Sequence, residues 1–133
     1  MLLHIATKLR LIHAAGYAHR DVKPGNVILE SKTKQWILID YASSARIGEL
    51  ACITYTLRYA PPELAASLEA GAQMVEVSGA IDVWALGIMA WTLLTASDPF
   101  ADKSKAEVRR SDMQCFFRSR TIGQITPKII YFH

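Results

Sequence analysis

The chain has 133 residues, 51% of them hydrophobic and 20% charged, with a net charge of +3. That is the size of one domain and the composition of a globular chain rather than a disordered one. The charge is too small to argue for nucleic acid, and the two cysteines, Cys52 and Cys115, show neither metal-ligand spacing nor a disulfide framework, which fits a reducing, cytoplasmic setting.

Residues 2–15 place Leu2, Ile5, Leu9 and Ile12 at spacings of three and four, one apolar helix stripe, and Gly16 follows as its stop. The stretch up to His19 is basic and lacks acids, but no cleavage pattern of a targeting peptide follows it. His19 to Asn26 then reads HRDVKPGN, five polar or charged residues between two apolar stretches. A short turn carrying an Asp, a Lys two residues later and an Asn three further on offers a carboxylate base, a cation and a metal-binding amide together. Phosphoryl transfer from a metal–nucleotide needs such parts, because that chemistry is mostly positioning and charge neutralisation.

Val27–Leu29 and Trp36–Ile39 read as two short strands joined by the polar residues 31–35, a hairpin. Asp40 follows the second strand directly, as an ordinary strand-end Asp or as a ligand. Residues 43–62 include Ser43, Ser44, Thr54, Tyr55 and Thr56. Pro61-Pro62 is a helix-start signal, with a short helix expected to Ala70. The rest of the Ala/Gly-rich stretch to Ala80 reads as an insertion in a surface loop. Ala80 to Ala96 is the most apolar run. It is interrupted by Asp82 and is shorter than the roughly 20 residues a membrane span needs, so a buried core helix to about Leu94 is expected. Asp82 at its start also has a plain capping explanation. Asp102 could cap a further helix to about Phe117, with a basic, solvated face.

The run from His19 to Asn26 resembles the catalytic loop of eukaryotic protein kinases, H-R-D-x-K-x-x-N. Further motifs follow in that family's order. Asp40-Tyr41-Ala42 stands where the family has D-F-G. Thr56, Tyr59, Pro62 and Glu63 match its G-T-x-x-Y-x-A-P-E, and Asp82, Trp84 and Gly87 match D-x-W-x-x-G. The resemblance implies that Asp21 is the base that orients the substrate hydroxyl. It places Lys23 near the transferring phosphate and gives Asn26 and Asp40 to Mg²⁺, so that Lys23, Asn26 and Asp40 together form the Mg²⁺–ATP side of the site. His19 and Asp82 would shape the loop. Arg20 would pair with a phosphate on the segment 43–62, where Thr54 is a candidate site. Thr56 would bond Asp21 and Lys23, a feature of the serine/threonine branch. Glu63 would pair with a downstream Arg that the sequence does not reveal, since Arg118 and Arg120 stand in no recognisable context. Tyr41 adds a hydroxyl in need of a partner, and Ala42 removes a glycine's access to positive φ.

The expected fold is mainly α (α+β): part of the kinase fold's large helical lobe, with a short hairpin after the catalytic loop. Residues 1–100 form the partial kinase domain, and 101–133 form a divergent segment. No Gly-rich loop, strand Lys or helix Glu is matched, so the chain reads as a piece of a serine/threonine kinase whose 133 residues alone transfer phosphate poorly. The implied function is ATP-dependent phosphorylation of serine or threonine in protein substrates. The alternative is a truncated or pseudo-kinase lobe acting as a non-catalytic module, with a kinase or scaffold partner over its open face. Neither a nucleic-acid nor a membrane partner is expected.

Overall fold

The computed structural model describes residues 1–100. The apolar stripe of the first segment folds as helix α1 (Leu2–Ala14), with Ile5 and Leu9 buried. It ends because Gly16 takes a left-handed conformation at φ 84°, which an L-residue with a side chain adopts only at a cost. The two-residue strand β1 (Tyr17–Ala18) leads into the loop His19–Asn26, which closes on a single tight turn, Pro24–Asn26. β2 (Val27–Leu29) and β3 (Trp36–Leu38) then pair antiparallel with Val27 opposite Leu38, the hairpin read from the sequence. Its turn is made by Lys34 at φ 55°, whose amide donates to the carbonyl of Glu30.

The segment after Asp40 is more regular than the sequence indicates. β4 (Ala45–Arg46) pairs back onto β1, and β5 (Leu50–Cys52) follows. Helix α2 (Pro62–Glu69) starts at the second proline. The stretch between α2 and the last helix is not a plain surface loop: it contains strand β6 (Met74–Glu76), which pairs antiparallel with β5. The last described helix, α3 (Ala80–Thr95), buries Ile81, Asp82, Ala85, Ile88 and Met89. Its other side exposes Val83, Leu93 and Leu94, so among the described residues it is buried on one face rather than all round. Asp82 is not its cap: Gly79 holds that position, and no side chain caps the helix.

The core lies where α1 crosses α3 beneath the hairpin. Ile5, Leu9, Val22, Val27, Leu38, Ala85 and Met89 form one buried cluster, with Leu2, Ile12, Trp36, Tyr59 and Leu86 packed on it. Val22 is the residue directly after Asp21, so the catalytic-loop stretch is pinned into this core by its own apolar member. No helix among the described residues is long and apolar enough to cross a membrane. The expected helix from Asp102 to Phe117, and Arg118 and Arg120, lie outside the described residues.

Ile5 is completely buried at the centre of this cluster. Ile5→Ala is therefore expected to lower unfolding stability by about 2–5 kcal/mol, from lost transfer energy plus a residual cavity. Urea titration followed by far-UV circular dichroism checks it.

Candidate functional site

The site is assembled from the loop 19–26, and the loop is held by one carboxylate from α3. Asp82 is fully buried. Its Oδ2 accepts from the amide of His19 at 2.8 Å and its Oδ1 from the amide of Arg20 at 2.7 Å. The ring of His13, from the last turn of α1, donates to Oδ2 through Nε2 at 2.8 Å. Three donors offset the cost of burying this charge. They also hold Arg20 at φ 69°, a left-handed conformation unusual for an arginine.

His19 works in the opposite direction, toward the hairpin. Its Nδ1 accepts from the amide of Asp21 at 3.3 Å, which puts the ring proton on Nε2, facing the carbonyl of Ile39 at 3.1 Å. The ring meets Tyr41 edge-on, with centroids 4.9 Å apart. The hydroxyl of Tyr41 donates to the carbonyl of Leu38 at 3.2 Å, which supplies the partner that this Tyr needs. The left-handed residue in Asp40-Tyr41-Ala42 is Asp40, at φ 62°, and not Ala42. Ala42 in place of glycine therefore costs nothing in this conformation, and Asp is among the residues that tolerate a positive φ best.

The polar centre is a closed set of hydrogen bonds around Asp21. Lys23 Nζ donates to Asp21 Oδ2 at 2.6 Å and to Thr56 Oγ at 3.1 Å. Thr56 donates to Asp21 Oδ1 at 2.8 Å. Asn26 Nδ2 donates to the Asp21 carbonyl at 2.8 Å and to Oδ2 at 2.9 Å. Burial alone would raise the Asp21 carboxyl above its ordinary value, but the hydrogen bonds from Lys23, Thr56 and Asn26 outweigh it and hold the group below that value. Asp21 is thus an ionised, oriented carboxylate. Three of its roughly four acceptor positions are taken, leaving room for one further donor such as a hydroxyl.

Asn26 and Asp40 are brought together by the hairpin: the amide of Ile39 donates to the Asn26 carbonyl at 2.9 Å, and Asp40 is the next residue. The two acceptors around Asn26 Nδ2 fix its amide orientation and leave Oδ1 accepting no bond among the described residues. Asp40 is exposed, with one oxygen accepting from the amide of Ala42 at 3.4 Å. An amide oxygen and a carboxylate are the hard oxygen donors that Mg²⁺ prefers, usually with waters and substrate phosphates completing the shell. Among the described residues, no group of three or more His, Cys, Asp or Glu is placed to hold a metal by itself.

The outer candidates separate. Arg20 is buried, and its guanidinium donates to the carbonyls of Ser43, at 3.2 Å, and of Cys52. Thr54 is exposed, two residues beyond Cys52. Glu63 is exposed in the first turn of α2, where a negative charge suits the helix dipole, and Arg118 and Arg120 lie outside the described residues. Arg58, two residues past Thr56, forms an ion pair with Asp98 after α3.

Two residues were missed. His13 is a partner of Asp82, and its place in the last turn of α1, six residues before His19, was the available signal. Gly79 is the other: a Cβ there would come within 3.0 Å of the His13 ring. No sequence signal points to that contact, because it depends on where α1 crosses the start of α3.

A model of the protein kinase domain family matches residues 1–130. The chain therefore belongs to the protein kinase family, and the match runs past residue 100, where the recognisable motifs fade. Among curated relatives, the serine/threonine-protein kinase mos of Patiria pectinifera is 32% identical over 111 residues, 77% of this chain and 30% of that protein. Serine/threonine-protein kinase PknA of Mycobacterium tuberculosis is 32% identical over 106 residues, 76% of this chain and 23% of that one. A putative ribosomal protein S6 kinase alpha-2 of Caenorhabditis elegans is 25% identical over 134 residues, 90% of this chain and 17% of that protein. The chain thus spans less than a third of the length of each of these relatives.

The contact between Gly79 and His13 makes a double-mutant cycle informative. Gly79→Ala should push the ring off Asp82 and lower stability by about 1–3 kcal/mol. In a His13→Ala background the same change should cost much less, a coupling of about 1 kcal/mol or more in thermal or urea unfolding.

The depressed Asp21 carboxyl has a stability consequence of definite sign. Its stabilising contribution is complete above the ordinary Asp value of about 4, and it is lost as the pH falls below that value through the lower folded one. Urea midpoints measured from pH 6 downward should fall more steeply for the natural chain than for Asp21→Asn.

Proposed function

We propose that this chain is the phosphotransfer half of a protein serine/threonine kinase domain, acting in ATP-dependent phosphorylation of serine or threonine in protein substrates. The observation that carries the reading is the closed set formed by Asp21, Lys23, Thr56 and Asn26. Its carboxylate is kept ionised, fixed in orientation and left with one open acceptor position. A substrate hydroxyl donating to that position would be oriented for attack on the γ-phosphorus of ATP, and Asp21 would take its proton as the new O–P bond forms and the bond to the ADP leaving group breaks. Lys23, already beside Asp21, would supply positive charge where the transferring phosphoryl group is most negative. Thr56 joins the loop to the segment that follows β5, so substrate contacts on that segment would be registered to the base. Lys23 and Thr56 together favour the serine/threonine branch.

Asn26 Oδ1 and Asp40 would hold Mg²⁺, whose charge would neutralise that of the phosphates of ATP. In this reading the described residues are part of the family's large helical lobe, with the hairpin carrying both proposed metal ligands.

A second reading, a non-catalytic interaction module, has one observation in its favour. Ile28 and Tyr41, two residues after Asn26 and one after Asp40, are exposed at 44% and 49%. In a catalytic domain such a face would lie against nucleotide or a second lobe. In a module it would lie against a partner protein.

Calorimetric titration of the purified chain with Mg²⁺–ATP separates the two. The catalytic reading expects binding that requires Mg²⁺ and is weakened at least about tenfold by Asp40→Ala, since a hard cation loses its charged ligand. A folded chain that binds no Mg²⁺–ATP would favour the module. Where phosphotransfer to a serine peptide is measured, Asp21→Asn is expected to reduce the rate by about 100-fold or more.

A further inference from the structure

Strand β6 comes from the stretch that the sequence presents as an insertion, and its partner is the segment that leads to Thr56. The pairing is longer than its three-residue strands. Leu50, Ala51 and Cys52 oppose Glu76, Val75 and Met74. Beyond them, the amide of Ile53 donates to the carbonyl of Gln73 at 3.0 Å, and the amide of Val77 donates to that of Glu49 at 2.9 Å. Gly48 donates to the carbonyl of Val77, also at 2.9 Å, so two residues, Gly48 and Glu49, face Val77 alone. That is a β-bulge with a glycine, at φ 87°, as its left-handed first residue. Val77 is buried at 1% exposure and anchors this end of the ribbon in the body of the protein. Two residues later, Gly79 opens α3 beside His13.

Arg20 reaches the same segment from the other side. Its guanidinium holds the carbonyls of Ser43 and Cys52, one at each end of the β4–β5 stretch. A buried guanidinium needs acceptors, and here two main-chain oxygens supply them with no phosphate involved.

We infer that β6 is a built-in strap: it holds the segment 48–53, and through it Thr56, in the ordered arrangement at Asp21 while the chain is unphosphorylated. The inference rests on the kinase reading for its meaning, since it concerns how that site is regulated, but the strap itself is a claim about order in the chain. The ribbon fixes residues 48–53 by main-chain bonds, and only two residues separate Ile53 from Thr56. A phosphate on Thr54 would have to draw Arg20 away from two carbonyls it already holds, so phosphorylation adds little order to a segment that is already paired.

Hydrogen exchange read by mass spectrometry on the unphosphorylated chain tests this. Amides in residues 50–53 and 74–77 should exchange at least about 100-fold more slowly than an unstructured chain. Val75→Pro cannot complete the ribbon, and it should abolish protection in 50–53 while α1 and α3 keep theirs. Exchange in the natural chain at unprotected rates across 50–53, whatever the helices do, overturns the strap. So does protection that survives Val75→Pro, or protection that arises only once the segment is phosphorylated. Failure to bind Mg²⁺–ATP with the ribbon still protected would sink the kinase reading and leave the strap standing.

Discussion

The site depends on one buried carboxylate. Asp82 has no solvent exposure and three hydrogen-bond donors from two other parts of the chain: the His13 ring from α1, and consecutive amides of the loop. A buried charge is costly unless it is paired and bonded, and the two consecutive amides reach its two oxygens with the backbone at Arg20 left-handed. Asp82 therefore does more than join α1, α3 and the loop. It selects the backbone conformation from which Asp21 emerges toward Lys23 and Thr56, and from which the Arg20 side chain turns toward Ser43 and Cys52. Replacing this carboxylate with an apolar side chain would strand two buried amides, each costing about 1–3 kcal/mol, and would remove the support for the strained residue.

From that anchor the loop passes order in two directions. His19 carries it to the end of β3, where its ring faces the Ile39 carbonyl and the edge of Tyr41. Asp40, beside Ile39, is likewise held left-handed. Arg20 carries order to the segment after Asp40. Residues 19, 20 and 21 thus reach three separate places: the hairpin, the following segment, and the hydrogen-bonded set with Lys23, Asn26 and Thr56. Three adjacent side chains can do this because a tight, irregular backbone fans them apart, whereas a strand would send alternate residues to the same face.

How much of this the sequence shows depends on how local each feature is. The loop residues Asp21, Lys23 and Asn26 sit within six positions, so a short turn was bound to bring them together. Thr56 is legible only through the family's motif order, since nothing in residues 27–55 taken alone says that it returns to Asp21. The hairpin was readable because both strands are apolar and close in sequence. The β5–β6 ribbon was not: its strands are Leu-Ala-Cys and Met-Val-Glu, short and mixed in character, and the pairing spans more than twenty residues with a helix between. A short strand that gains its stability from a distant partner leaves no periodic trace of its own. Glu63 is exposed at a helix start, where its charge suits the helix dipole, and the arginines the sequence offers as partners lie outside the described residues.

The ribbon and the anchor also meet, which makes the insertion part of the site's architecture and not an appendage. β6 ends at Glu76, Val77 is buried, Gly79 gives room to the His13 ring, and Asp82 follows in the first turn of α3. Within nine residues, 74–82, the chain holds the segment leading to Thr56, makes space for the histidine that supports the anchor, and supplies the anchor itself. Asp21 is consequently gripped from both sides by one stretch: through Arg20 and His19 by Asp82, and through Thr56 by the pairing of β5 with β6. A displacement of this stretch would move Asp21 and the segment that carries Thr56 together, so their relative register is better protected than the position of either. For the proposed phosphotransfer, which would consist mostly of holding a hydroxyl and a phosphoryl group in line, preserving register is the more useful form of rigidity.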